Sequence, residues 1–599
     1  MRRMVVSIIV MHLMILALYA QDLPDTESLM YILGAESPEE MEADEVERLL
    51  AYVESPLRVN AVSVDKLISS GLMTTYQAVS LVDYRERHGT LVSLSELTSV
   101  DGFSNEHVRM ISPFISLESY GHGNKDAGVR VDLSSRAGYR HNGEGSAFGY
   151  GLKARVEAGS KLCISASASA SYNATVCLPD VYSASISYES AVIPLRVVLG
   201  DFNARFGQGL VLWNGMTMSG VSSPASFMRT PSGLSHVFSF TGGSALTGVA
   251  ADLKLRKFKI TALLASPGIK YKYSALMPAV NLIWRGRNVQ VGFTHYSEAA
   301  FSNERKSFLV SSMKTSADAV ACVRGVDLFM EMAYDWKNLT GAGVAGLAFT
   351  AGDGVKIASM LRFYPAGYDS SWSGAVRSRS RCSNEYAAAL SCSISRGAWV
   401  KKESAGGYAE SVRRHIAHIS ADAAYYPVPE SSSGRSMQLK VLADWSVMLS
   451  PVLKLKLRLA ERVRTWGLPL RTDVRLDCSW VSSRFTVNSR INLLRCDKTG
   501  TLAYLEGGYK DKRLSVFLRH GYFLIDDWDD RIYVYERDAP GSFNIPAFYG
   551  RGLWLSLSGM WHVNRDGKLY IRMSLTEYPF MEKKKPGRAE LRLQYVMSF

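Results

Sequence analysis

The chain ends in RAELRLQYVMSF, residues 588–599, with Leu591, Leu593, Tyr595, Met597 and Phe599 at every second position. Successive side chains of a strand point to opposite faces, so this spacing means a strand with one apolar and one wet face. The same period recurs far upstream. Val129, Val131, Leu133, Ala137 and Tyr139 alternate with Arg130, Asp132, Ser134, Arg136 and Arg140. Ile164, Ala166, Ala168, Ala170 and Tyr172 alternate with serines. Leu453, Leu455, Leu457 and Leu459 alternate with Lys454, Lys456 and Arg458, and Leu569, Ile571, Met573 and Leu575 with Tyr570, Arg572, Ser574 and Thr576. Strands of a soluble sandwich run about 5–6 residues. These run nearer ~10, the length that crosses a bilayer at a tilt.

The other end of the chain sets the compartment. MRRMVVSIIVMHLMILALYA, residues 1–20, reads as a secretory signal: Arg2 and Arg3, an apolar stretch from Val5 to Leu18, and Ala20 before cleavage. No cysteine follows Ala20, so a lipid anchor is not expected. No later apolar run reaches the ~20 residues of a spanning helix. A membrane form must then be a closed barrel, because only helices and barrels satisfy every backbone group in lipid. The terminal Phe599, with Tyr595 four places before it, resembles the C-terminal signature of outer-membrane barrels. That resemblance implies insertion by the barrel-insertion machinery into the outer membrane of a Gram-negative bacterium, among lipopolysaccharide. The fold expected for residues 128–599 is mainly β: a large antiparallel transmembrane barrel of about 22–26 strands, at roughly 20 residues per strand and connection. Its lumen would be too wide for its own side chains to fill. An even strand number puts both termini in the periplasm.

Residues 56–117 follow another period. Two amphipathic hairpins turn at Ser70-Gly71-Leu72-Met73 and Asp101-Gly102-Phe103-Ser104, each followed by a helix, about Thr74 to Arg87 and about Asn105 to Ser112. Gly89 caps the first, and a connector leads to a further helix near Leu97. The stretch resembles the tandem helix-hairpin-helix domain of the competence DNA receptor ComEA. In that family the hairpin tips offer helix N-terminal N–H groups to a DNA phosphate. The resemblance implies Gly71, Leu72, Gly102 and Phe103 as contacts to a phosphate or a partner, Arg85, Arg87 and Arg109 as accessory cations, and nucleic acid as a partner. The sequence departs from the pattern where Met73 and Ser104 replace the second glycine of each tip. Residues 56–117 also carry no cationic excess, and cations supply most non-specific DNA affinity.

Charge divides the chain. Residues 21–55 carry a formal −10, with Arg48 the lone base, and residues 118–599 carry about +22. Ser37-Pro38-Glu39-Glu40 reads as a helix start, and EVERLLAYVESPL as a lead-in helix packed on the hairpins. Such an acidic surface would repel DNA. The barrel's cations suit rim contacts to lipopolysaccharide phosphates, the favoured reading, or an anion path through the lumen. Residues 118–127 read as a linker.

Within the barrel, GDFNARFGQGL at Gly200 to Leu210 is the densest unusual string. Asp201 and Arg205 are candidates to face the lumen and touch a plug, and Gly207 and Gly209 to kink the wall. With YERDAPGSFNIPAFYGRG, Tyr535 to Gly552, it resembles uncharacterised barrel proteins of the Bacteroides group that carry the same hairpin domain, a likeness that brings no activity with it. Gly341-Ala342-Gly343-Val344-Ala345-Gly346 has dinucleotide-loop spacing but sits in alternating strand with no helix after it. Asp526-Asp527-Trp528-Asp529-Asp530 is read as a solvated turn before a cation site. The seven cysteines are scattered and show no metal spacing; an oxidising compartment would let some pair. No nucleophile–base–orienter set is legible, so no enzyme, cofactor or metal is expected. The sequence points first to an outer-membrane channel or translocation component whose helical domain is periplasmic or plugs the lumen. The alternatives are a DNA-uptake receptor and a non-transporting scaffold for a periplasmic or surface protein.

Overall fold

In the computed structural model, the residues described are 26–118 and 129–599, less positions 144, 160, 174, 176, 191, 216, 218–219, 221–222, 241–244, 267–274, 303–306, 353, 405–406, 430–433, 451, 468–469, 512, 543 and 582–584. The signal sequence and nearly all of the linker lie outside them.

Residues 129–599 form a closed barrel of 24 antiparallel strands, each paired with its neighbours in sequence. The last strand, Arg588–Ser598, pairs with the first, Val129–His141, through Ala589↔His141 to Ser598↔Asp132. Phe599 completes the seam by exchanging backbone bonds with Val131, at 2.7 and 3.0 Å. The alternating pattern thus closes on itself and leaves no edge strand, which would otherwise offer unpaired N–H and C=O groups.

On the later strands the greasy residues point outward, whereas Phe202, Leu246, Met277, Phe329 and Met360 on earlier strands are buried against the first inward loop. In Leu453–Arg464, Leu457 and Leu459 are each 44 % exposed, while Arg458 between them is buried at 6 %. Leu476, Leu493, Leu505 and Leu518 on later strands are likewise exposed, while Arg475, Arg490, Glu506 and Arg519 are buried. A soluble protein would have these positions reversed. The serine-rich strand Leu162–Asn173 shows what small inward residues permit. Ser165, Ser167 and Ser169 leave room for residues 237–240 and donate to the backbone of Val237, Ser239 and Phe240. No helix of the described residues is long and apolar enough to cross a membrane.

Two stretches where strands are hard to count, Leu210–Phe240 and Asp526–Gly550, are inward loops. The first buries Leu210, Val211 and Leu212 completely and adds a short strand, Gly233–His236, alongside Leu195–Arg205. The second is held by Asp530, which accepts the N–H groups of Cys496, Asp497 and Lys498, so this end of the acidic string is a buried cap and not a solvated turn. The glycine run at 341–346 lies within the strand Thr340–Ala351. All seven cysteines are unpaired.

Among the described residues, five α-helices precede the barrel: α1 (Thr26–Leu33), α2 (Ala43–Glu54), α3 (Val64–Ser69), α4 (Thr75–His88) and α5 (Asn105–Ile111). They share one apolar core around Leu49, Leu67, Leu81, Leu97, Ile111 and Phe114. Thr74 and Gln77 form a reciprocal capping box at the start of α4. The helix expected near Leu97 is only a 3-10 turn, Glu96–Ser99. Ser93 accepts the Glu96 N–H at 3.2 Å, a capping bond, but Val100 is already extended, so only one short turn follows the cap.

Candidate functional site at the contact of helices and inner wall

The helical unit meets the barrel through its carboxylates. A core face and an acidic face share each segment: in α2, Val46 and Leu49 are buried in the helical core, while Glu45 and Glu47 reach the wall. All seven acidic side chains described in residues 26–55 pair with a base of the barrel or its inward loops. Glu27 meets Lys454 at 3.3 Å and Glu36 meets Lys456 at 3.4 Å. Glu39 takes Arg490 at 2.6 Å and Arg475 at 3.3 Å, while Glu40 takes Arg458 at 2.8 Å. Glu42 pairs with Arg229, Glu45 with Arg205, and Glu47 with Lys153. From the hairpins, Asp65 meets Arg285 at 2.9 Å, and Glu106 pairs with Arg414 and Lys356.

Burial and pairing pull these acids in opposite directions. Burial pushes the Glu45 carboxyl up, but the Arg48 and Arg205 guanidiniums outweigh it and bring it down to about 2. Burial likewise opposes ionisation of Glu39, yet Arg490, Arg475 and the Tyr535 N–H hold it well below the usual carboxylate range. Asp65 and Glu106 are lowered by the same balance of burial against neighbouring bases. Each is therefore an ionised carboxylate in a buried pair, a geometry that is costly to break from one side.

Chain conformation also fits the contact. Gly34 has φ +65°, and a Cβ there would come within 2.7 Å of Ser226 N in the first inward loop, whose Ser223 Oγ donates to Gly34 O at 2.8 Å. Between the helices and the wall remains a cleft of about 1520 Å³, lined by Lys66, Arg155, Arg196, Lys259 and their neighbours.

The residues singled out from sequence separate into groups. Arg205 touches the helical unit at Glu45. Asp201 stays within the wall, accepting from Thr247 Oγ1 at 2.5 Å and the Ala184 N–H at 2.9 Å. Gly207 and Gly209 have φ +59° and +90° and turn the chain inward, where Glu331 accepts the N–H groups of Gln208 and Leu210. Leu72 and Phe103 are buried in the helical core. Gly71 has φ +72° and lies against the Arg48 guanidinium; Gly102 lies against the Tyr76 ring. Arg85 donates to Val59 O and Val62 O, at 3.0 and 2.9 Å. Arg87 pairs with Asp83, and Arg109 is exposed. Tyr595 sits in the closing strand opposite Ser135, and Phe599 is exposed.

The acidic segment is thus not a free surface beside the hairpins, and many barrel cations lie inside the wall and not at its rims. Apart from Arg205, neither partner set was named from sequence, although opposite formal charges on adjacent segments were a signal for both.

No family model matches the sequence, and no curated protein matches it. Solved structures with a similar strand arrangement include the outer membrane protein OpdK from Pseudomonas aeruginosa, at 9% identity and TM-score 0.28 over 79% of this chain and 99% of that one. The P pilus usher PapC translocation pore follows at 10% and 0.35, over 78% and 99%. The copper transporter OprC stands at 10% and 0.39, over 79% and 80%.

Proposed function

We propose that this protein is an outer-membrane channel or translocation barrel whose helical domain sits in the lumen as a plug. The observation that carries this reading is the set of ion pairs from Glu27, Glu36, Glu39, Glu40, Glu42, Glu45 and Glu47 to bases on strands and inward loops around the wall. A wall apolar outside and charged inside suits lipid. A lumen of this width passes solutes unless something fills it. The acidic segment and hairpins supply the filling, and charge complementarity supplies the seat. Passage then requires the helices to shift, and the basic cleft beside α2 and α3 is where a path would widen.

Planar-bilayer recording tests this. The full chain should show low conductance, and a chain lacking residues 26–118 should show a large, steady open state. Equal conductance of the two would defeat the plug. The buried tips Leu72 and Phe103 and the wall-paired acidic segment favour the plug over a DNA-gripping role for the seated domain.

A further inference from the structure

Glu36, His418 and Asp444 bring one carboxylate of the segment between α1 and α2 against two cross-strand partners of the wall. Their candidate ligand atoms all lie within 4.8 Å of one another. His418 is 1 % exposed, and its Nδ1 has no hydrogen-bond partner. That nitrogen stands 3.8 Å from Asp444 Oδ2 and 4.0 Å from Glu36 Oε1, too far for a direct bond to either. The other ring nitrogen, Nε2, is 2.9 Å from Ser391 Oγ. With the proton on Nε2 and donated to Ser391, the Nδ1 lone pair faces two carboxylate oxygens across gaps of 3.8 and 4.0 Å. Lone pair and anions repel unless a cation, either a proton on Nδ1 or a metal ion, lies between them.

The neighbouring bases do not fill that gap. Lys456 Nζ lies 3.4 Å from the other Glu36 oxygen, Oε2, and 3.8 Å from Asp444 Oδ2. Arg458 takes Asp444 Oδ1 at 3.0 Å and Glu40 at 2.8 Å. Metal–ligand bonds near 2.0–2.1 Å place tetrahedral ligand atoms about 3.3 Å apart, so the ligands must draw in from the 3.8 and 4.0 Å at His418 and from a carboxylate spacing of up to 4.8 Å. A histidine that donates its second N–H to a fixed acceptor is the usual arrangement around a bound metal. One imidazole with two carboxylates selects a transition ion over magnesium or calcium, which prefer all-oxygen sites.

We propose that Glu36, His418 and Asp444 form a site for a zinc-like divalent metal ion that ties the N-terminal segment to the barrel wall. The site needs that segment seated against the wall, as the plug reading does. Lys456 competes electrostatically with the ion, so affinity is set partly by how far that side chain withdraws.

The test uses the full chain, folded in detergent, titrated with Zn²⁺ by calorimetry and with Co²⁺ by visible absorption. Heat-modifiable migration on gels confirms that each variant is folded. One equivalent of Zn²⁺ should bind, with a Co²⁺ ligand-field band. His418→Gln and Glu36→Gln should each weaken binding more than about tenfold, and Ser391→Ala by about 10–100-fold. Lys456→Gln should tighten it. Absence of saturable binding, or binding indifferent to His418→Gln, overturns the site. A Glu45→Cys/Arg205→Cys pair, bridged by a short bifunctional maleimide because the glutamate–arginine contact spaces the two backbones too widely for a direct disulfide, separates this from the plug reading. If the specific cross-link forms and zinc does not bind, the metal site fails and the seated segment stands. If neither occurs, both fail.

Discussion

Arg490 donates to Glu39 across 2.6 Å, although 451 residues separate them in the chain. Glu39 lies on the 3-10 turn Pro38–Glu40, and Arg490 faces inward from the strand Phe485–Arg495. The same carboxylate also receives Arg475 and the Tyr535 N–H, so one side chain joins the helical unit, two strands and an inward loop.

Glu39→Gln should therefore loosen the helical unit from the wall more than any other single acidic substitution. It leaves two buried guanidiniums with Asp477 as their shared remaining acid. Breaking a buried pair from one side costs about 3–5 kcal/mol. The expected result is frequent opening in planar bilayers at neutral pH, with the barrel still heat-modifiable.

Acid should release the helices in a defined order. His107 is brought down to about 4 by burial and by Lys356, so it favours the folded helical unit above its ordinary value and loses that contribution as pH falls from about 6.5 to 4. Glu45, held at about 2, contributes above the ordinary carboxylate value and loses its contribution only as pH falls below about 4.5 toward 2. Pulsed EPR distances between labels on α4 and on the wall should hold from pH 8 to near 6.5. They should broaden as His107 protonates and separate below 4.5. His107→Gln should remove the first phase and leave the second.

Two glycines of the helical unit distinguish backbone strain from crowding. Gly71 and Gly89 both have positive φ, but a Cβ at Gly71 meets Arg48 while one at Gly89 meets nothing within 4 Å. Gly89→Ala should cost about 1–3 kcal/mol, the backbone term alone, because φ 88° with ψ −166° is open essentially to glycine only. Gly71→Ala should cost more, because it also displaces Arg48 from Ser69 O and Glu45. Limited proteolysis of the full chain should cut the second variant's helical segment faster.

The outward leucines test the orientation of the wall. Leu457→Arg, on the outer face, should destabilise a lipid-embedded barrel by about 2–4 kcal/mol near the bilayer midplane. Leu457→Ile should be nearly neutral. Urea titration of folding in vesicles measures the difference, and equal stability of the two variants would place Leu457 away from lipid.

The sequence alone determined the barrel. Period-two alternation is a local property, set by the directions of successive side chains, and Leu453 to Leu459 or Leu591 to Phe599 display it without reference to anything distant. Turn glycines and the helical period of 56–117 are local in the same sense, so the helices after Gly71 and Gly102 were legible to within a residue or two, while the one expected near Leu97 was not. Tertiary structure decided what the charges do. Glu39 and Arg490, or Glu36, His418 and Asp444, meet only because strand register and barrel closure carry distant residues to one point. The inward loops escaped for a related reason: Leu210–Leu212 and Asp530 are buried by a lumen that exists only once the first and last strands have paired.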